Sequence, residues 1–463
     1  MVNLGRAEEP VLDLARSAVC LHFVEHKAPQ GPRDSDYEYC PVMGSMELDL
    51  LSYGFQTRPP FRSRCSPTGR TAIEIVFPDR VEYHSEGRTV TLACPDPVRR
   101  AQVVISQTCF PQSGVHVWHM VLTPSEDTAF TEFDIIKLIQ LYDGRTERTG
   151  LTDKVRFRLP GGGMEDVYGL LRALQPDVGS QAKIRAGTVE ILTGSAKHSE
   201  LISAILTARR TGDREGHSKL TKWMADDCPE KSIILAYCGI VTGILDFDQV
   251  DPEEVLDTLE PTFADAAAFL RNHRCTLTGI MEEDRAMEEY WEEVGISPYL
   301  IIPHAALLHN EALVEVANAI IDQASSQGDA GKKLPSLERA YEQAEMNLRD
   351  LFLPNVFNYI TERSLFDKAS SGRGLADKLA LTQHKLEGLK NRIDLRWEAR
   401  RDRGQMAIAI LLAIIYVFQL QDLVFDVLGK SVPIAIGWGV LGGLAAVTAV
   451  LINRFWSMGL RRH

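Results

Sequence analysis

Positive charge is in short supply. The 463 residues carry 50 Lys and Arg against 63 Asp and Glu, a formal net charge of −13. That balance argues against nucleic acid as a partner of the whole surface. Cysteine is sparse too, with 8 residues at 20, 40, 65, 94, 109, 228, 238 and 275. No two form a CxxC and none follows Cys275, so neither a zinc ribbon nor a disulfide framework is written here, and the pattern fits a reducing cytoplasm. The opening MVNLGRAEEPVLDLARSAVC lacks the apolar core of a signal peptide, and Gly does not follow Met1 as N-myristoylation requires. GxSxG, HExxH and the protein-kinase set are missing, and LPGGGMED has neither a following GK[ST] nor a dinucleotide fingerprint. The expectation is a protein that is not an enzyme.

What is present begins with short β-branched and aromatic runs over residues 1–160: SAVCLHFV, SMELDLLSYG, TAIEIVF, RVEYHS, RTVTLAC, AQVVISQ and VHVWHMVL, separated by FPD, SEG and PDP. These read as strands and turns. SEDTAFTEFDIIKLIQLYDG reads as a helix with an apolar stripe through Phe130, Phe133, Ile136, Leu138 and Ile139. Residues 164–250 mix short helices and strands. From Asp251 the expectation is helix almost throughout, starting at VDPEE, where Asp251 caps, Pro252 occupies the first helical position and Glu254 the third.

The C-terminal part is the most distinctive. Leu375, Leu379, Leu386, Leu389 and Ile393 recur near a 3.5-residue spacing, with Thr382 and Arg396 at the remaining heptad sites. The pattern runs without Pro to Gly404, where an apolar stretch begins. Met406–Phe418 is a run of 13 uncharged residues, and Val432–Ile452 is another of 21. A spanning helix needs about 20. Arg392, Arg396, Arg400, Arg401 and Arg403 precede these stretches, and Arg454, Arg461 and Arg462 follow them. By the positive-inside rule both ends would lie in the cytoplasm.

The expected fold class is therefore an α+β cytoplasmic domain, β-rich in its N-terminal part and helical in its C-terminal part, with a long stalk helix and two C-terminal transmembrane helices. The expected divisions are an α/β domain over 1–250, a helical domain over 251–370, a stalk over 371–403, spans over 404–428 and 432–456 around an outer loop at 429–431, and a basic tail over 457–463. The expected location is the cell inner membrane.

Candidate sites follow from this layout. At about 100° per residue, Gln405, Tyr416, Gln419, Asp422 and Asp426 share an arc of about 120° and are pore-lining candidates. Ala435, Gly439 and Gly443 at four-residue spacing are helix-packing candidates. Asp246, Asp248 and Asp251 in DFDQVDPEE are candidate divalent-cation ligands, although the stretch lacks the Gly and distal Glu of a calcium loop. His116 and His119 in HVWH fall on opposite faces of a strand, which makes them poor joint ligands. His304 and His309 in HAALLHNE lie five apart, off a shared helical face.

The order of these parts, from α/β domain through helical middle, stalk, short outer loop and second span to basic tail, resembles the CorA-type divalent cation channels. The resemblance implies a homo-oligomer (five subunits in that family) packed around a pore, with a divalent cation as cofactor or cargo. The family's Gly-Met-Asn at the outer end of the first span is absent; QLQDLVFDVLGKSVP stands there. Two functions are expected. One is an oligomeric cation channel gated by its cytoplasmic domain. The other is a membrane-anchored sensor or effector, for example in antiviral defence, whose soluble domain takes a small-molecule or nucleotide ligand and whose spans disturb the lipid bilayer.

Overall fold

The computed structural model describes residues 12, 14–28, 62–65, 70–78, 80–85, 88–93, 97–141, 154–193, 222–223, 230–243, 251–263, 267–271, 275–280, 298–326, 334–353, 357, 360–428, 439, 442–443 and 446. The strands in chain order begin with β1 (Ser17–His26), β2 (Arg62–Cys65), β3 (Thr71–Val76), β4 (Arg80–Ser85), β5 (Arg88–Ala93), β6 (Val98–Phe110) and β7 (Val115–Pro124). Helix α1 (Glu132–Gln140), strands β8 (Arg156–Arg158) and β9 (Met164–Glu165), helix α2 (Val167–Leu174) and strand β10 (Lys183–Thr193) follow. Then come α3 (Glu230–Thr242), α4 (Pro252–Thr258), β11 (Glu260–Phe263), β12 (Ala267–Arg271) and β13 (Cys275–Ile280). The chain ends in α5 (Pro298–Ser326), α6 (Leu334–Arg349), α7 (Ile360–Gly372) and α8 (Leu375–Leu428).

Eleven strands form one sheet in the order β11-β12-β13-β10-β1-β7-β6-β3-β8-β9, with β2 paired to β6 beside β3. All its pairings are antiparallel except β10 with β13. β4 and β5 form a separate hairpin. β1 lies in the middle, and nine of its ten residues are buried. SAVCLHFVEH has no Pro, no Gly and apolar residues on both faces, as a strand covered on both sides requires.

One face of the sheet is apolar. Val19, Leu21 and Phe23 join Ile73, Ile75, Val103, Ile105, Met120, Leu122, Val189 and Ile191 in a core with Ile135, Ile136 and Ile139 of α1, Leu170 and Leu171 of α2, and Ile234 and Ile240 of α3. Helix α1 starts at a capping box in which Thr131 and Asp134 each bond the other's backbone N–H. Helix α5 covers the opposite face, where His304 stacks on His22 of β1.

The chain divides into two compact units, one of Met1–Ala319 with Gln343–Gln383, the other of Ile320–Glu342 with His384–His463. In the first, Asn310 Nδ2 donates to Leu353 O at 2.6 Å and Leu353 N donates to Asn310 Oδ1 at 2.9 Å, a side-chain imitation of a backbone pair. In the second, Lys385 pairs with Asp322 at 3.0 Å and Trp397 Nε1 donates to Glu338 at 2.7 Å.

Two expectations need correction. Residues after Asp251 are not helical throughout: β11, β12 and β13 extend the sheet. Alternation in CTLT of CTLTGI and the short apolar run in AAFLR suit strands, and the helix punctuation before them masked it. The second correction concerns the membrane. Among the described residues no helix is long and apolar enough to cross a bilayer, so the two transmembrane helices of the expected fold class are not seen. Helix α8 does continue unbroken through Gly404 to Leu428. Its apolar run of 13 residues falls short of the roughly 20 a crossing needs, because the polar Gln419, Gln421, Asp422 and Asp426 follow it. Apart from Gly439, Gly442, Gly443 and Ala446, which are helical, the expected second span lies outside the described residues.

The heptad pattern in α8 has a clear counterpart. Leu375, Leu386, Leu389 and Ile393 are buried, and Thr382 at the polar heptad site is buried with its hydroxyl donating to Lys378 O at 2.8 Å.

Candidate functional site

Strand alternation places Cys20 and His22 of β1 on the face toward α5, two residues apart. His119 of β7 is the direct cross-strand partner of His22, so it shares that face. Thr188 of β10 stands opposite Cys20. Thr108 and Ser106 of β6 complete the lining, Ser106 opposite His119. His304 descends from α5 and lies parallel to the His22 ring, with centroids 5.4 Å apart. His22 and His119 are 0% exposed and His304 1%. An apolar strand face would bury more cheaply, so this polar patch needs a chemical reason.

The patch is connected apart from Ser106, whose buried hydroxyl has no hydrogen-bond partner among the described residues. His22 Nε2 lies 2.9 Å from Thr188 Oγ1, His22 Nδ1 lies 2.8 Å from His119 Nδ1, and His119 Nε2 lies 2.9 Å from Thr108 Oγ1. Cys20 Sγ approaches His22 Nδ1 at 3.8 Å. His304 Nδ1–H donates to Leu300 O at 2.9 Å. Between two neutral imidazoles, one Nδ1 donates and the other accepts. The chain Thr188–His22–His119–Thr108 can therefore run in either direction by exchanging tautomers.

Burial holds the His22 and His119 rings neutral. It lowers His119 from 6.5 to about 3, with the neighbouring His304 acting the same way. His22 is lowered well below its ordinary value by burial, then by His119, His304 and Arg373. The Cys20 thiol is raised far above its usual range by burial, so without a metal it is a thiol rather than a thiolate.

A register shift in the β1–β10 pairing falls between His22 and Phe23, where Arg185 of β10 is passed over. Bulges of this kind re-aim side chains and free a backbone group. The Arg185 carbonyl accepts from Arg373 Nη2 at 3.0 Å. Arg373, in the turn before α8, also pairs with Glu311 of α5 at 2.5 Å, and Lys378 in the first turns of α8 reaches the same carboxylate at 3.2 Å. Arg373 keeps 14% of its side chain exposed and Glu311 7%. Gly374 completes that turn at φ 62°, a conformation that favours glycine.

A second polar contact lies on the same face. His309 stacks on Phe110 at 4.1 Å and lies 3.0 Å from Ser113 Oγ, and burial lowers its pKa to about 3.

The sites expected from sequence lie elsewhere. Gln405, Tyr416 and Gln419 sit on exposed positions of α8, and Asp422 and Asp426 belong to the same helix. Gly439 and Gly443 are helical, with nothing within 4 Å of where a methyl group would stand, and Ala435 lies outside the described residues. Asp246 and Asp248 also lie outside them, while Asp251 is exposed just before α4. His116 and His119 do face opposite ways: His116 lies 2.7 Å from Gln107 Nε2 and 3.5 Å from Cys109 Sγ. Cys20, His22, Thr108 and Thr188 carried no sequence signal of their own. The available clue was Cys-Leu-His on a strand, which puts the thiol and the imidazole on one face; what completes the site is cross-strand register.

No protein-family model, curated protein or solved structure matches this chain. The resemblance to CorA-type channels thus rests on the order of elements alone.

Proposed function

We propose that this chain is a sensor that acts by assembling with copies of itself, the histidine patch being the sensing site and helix α8 the assembling surface. The carrying observation is the link between the patch and α8. His304 and Glu311 are seven residues apart on α5, two turns along one face. His304 rests on His22, while Glu311 holds Arg373 and Lys378 at the start of α8. A ligand that moves the His304 ring acts on the same helix face that anchors α8.

Binding is favoured over catalysis by the depth of the patch, which excludes an organic substrate from the rings. Assembly is favoured by Ile408, Leu411, Leu412, Ile414 and Ile415, all exposed on α8. A helix apolar over so wide an arc is ordinarily covered. A second copy of α8 supplies a matching surface.

The test is sedimentation of the full-length chain. The wild type should form a discrete oligomer. Ile408→Glu with Leu412→Glu should weaken association at least tenfold, and Glu311→Gln should shift the same equilibrium and speed hydrogen exchange over residues 375–393. A monomeric wild type would overturn the proposal, as would a chain that binds lipid vesicles through this face without self-associating.

A further inference from the structure

We propose that Cys20, His22 and His119 form a binding site for one borderline-soft divalent ion of the zinc class. This deepens the sensor proposal above by naming the ligand of its sensing site. Among the described residues, these three are the one group whose donor atoms converge, Cys20 Sγ, His22 and His119 nitrogens all lying within 4.8 Å of one another.

The geometry is close to what such an ion needs. Zinc takes His N at about 2.0–2.1 Å and Cys S at about 2.3 Å in a tetrahedron, so adjacent nitrogens stand about 3.3 Å apart and nitrogen and sulfur about 3.6 Å. Here the two Nδ1 atoms are 2.8 Å apart and Sγ is 3.8 Å from His22 Nδ1. A parting of the rings by about half an ångström, with Cys20 Sγ drawn in toward both of them, opens the site, and the parting is the movement expected where a hydrogen bond between two imidazoles is replaced by a shared ion. One thiol and two imidazoles also select against magnesium and calcium, which take oxygen.

The surroundings fit as well as the donors. A ligating imidazole uses its other N–H to donate to a fixed acceptor, which sets its tautomer. With both Nδ1 atoms on the ion, both Nε2 atoms carry hydrogen, and each already has a hydroxyl at 2.9 Å: Thr188 for His22 and Thr108 for His119. The proton count is simple. Each neutral ring keeps its one proton. The ring that held it on Nδ1 moves it to Nε2, and its threonine turns from donor to acceptor. The Cys20 S–H bond breaks, the electron pair goes to the metal–sulfur bond, and one proton leaves to solvent for each ion bound. The site gains one unit of positive charge beside His304. The His304 ring lies 5.4 Å from His22, and its Nδ1–H is committed to Leu300. That ring is the group through which the new charge acts on α5.

The test uses the full-length chain, stripped with a chelator and titrated with Co(II) and then Zn(II). One ion per chain should bind, with a thiolate-to-cobalt charge-transfer band and release of one proton. Cys20→Ser should abolish that band. His22→Gln and His119→Gln should each weaken affinity at least 100-fold, and Thr188→Val, which keeps every ligand, should weaken it 10- to 100-fold. Circular dichroism on the stripped variants separates lost ligation from lost fold; Thr188→Val and Cys20→Ser are the mildest in shape and decide the question if the histidine variants unfold. Failure of the wild type to bind stoichiometrically, or a cobalt spectrum unchanged by Cys20→Ser, overturns the metal site. In that event a persistent effect of Glu311→Gln on assembly would still uphold the sensor, whereas metal binding with no effect on assembly would overturn the sensor and leave the site standing.

Discussion

Along β1, Val19, Leu21 and Phe23 face α1, α2 and α3, and Cys20 and His22 face α5; all five are buried. The first face works by removing apolar surface from water, which is non-directional and tolerates exchange of one hydrocarbon for another. The second works only if each polar atom finds its partner, since an unpaired buried group costs about 1–3 kcal/mol. A sheet needs a covered face but does not need this one to be polar. Two faces of one strand, equally dry, thus separate what holds the fold from what the fold holds.

Acid should break the comparison most sharply. His119 and His309 are lowered from 6.5 to about 3 by burial. Between those values the unfolded chain binds protons that the folded chain does not, so stability present above pH 6.5 is lost as pH falls. Each such histidine contributes a slope of about 1.4 kcal/mol per pH unit. Moving from pH 6.5 to 5 should therefore remove about 3 kcal/mol from these two alone, and the lowered pKa values of His22 and of His116, at about 4, act in the same direction. Urea unfolding at both pH values, in chelator, measures this. His119→Gln should flatten the dependence by one histidine's share, while a variant of the apolar face should leave the slope untouched.

Phe23→Ala tests the other face. The ring is fully buried, and its loss should cost about 3–4 kcal/mol through lost transfer energy and the cavity left behind. That cost should be independent of pH and of added metal. A pH-dependent cost would mean that the faces are coupled and that the division is wrong.

Thr108→Val is the smallest and most discriminating change. It preserves shape and removes the hydroxyl 2.9 Å from His119 Nε2. The expected cost is about 1–2 kcal/mol in the metal-free protein, with the His119 proton resonances shifted in NMR spectra. An equal or smaller cost than that of Val121→Ala on the same sheet face would show that the hydrogen bond is not engaged.

Some of this was legible in advance. SAVCLHFV, TAIEIVF and VHVWHMVL announce strands because β-branched and aromatic residues alternate or run together between turn residues, and the matching elements are β1, β3 and β7. The heptad from Leu375 announces α8, since its apolar period is local to one helix. Two losses were instructive. An apolar run of 13 residues was extended into a span across Gln419, Gln421 and Asp422, where composition alone could not decide the length. CTLTGI was read through the helices around it and so missed as a strand.

What the sequence determined by itself is what depends on neighbours along the chain: strand and helix periodicity, the Thr131 and Asp134 cap, the turn at Gly374, and the opposite orientations of His116 and His119. What only the tertiary structure decided is what depends on register and on layers meeting. His22 reaches His119 across 97 positions because β1 pairs with β7 at that offset, and Thr188 reaches His22 across 166 because β10 pairs on the other side. His304 enters because α5 crosses that face. Register is set by the burial of whole faces, so slipping one residue would turn every side chain of a strand over. The site is therefore a consequence of the summed packing of the sheet, and no window of sequence contains it.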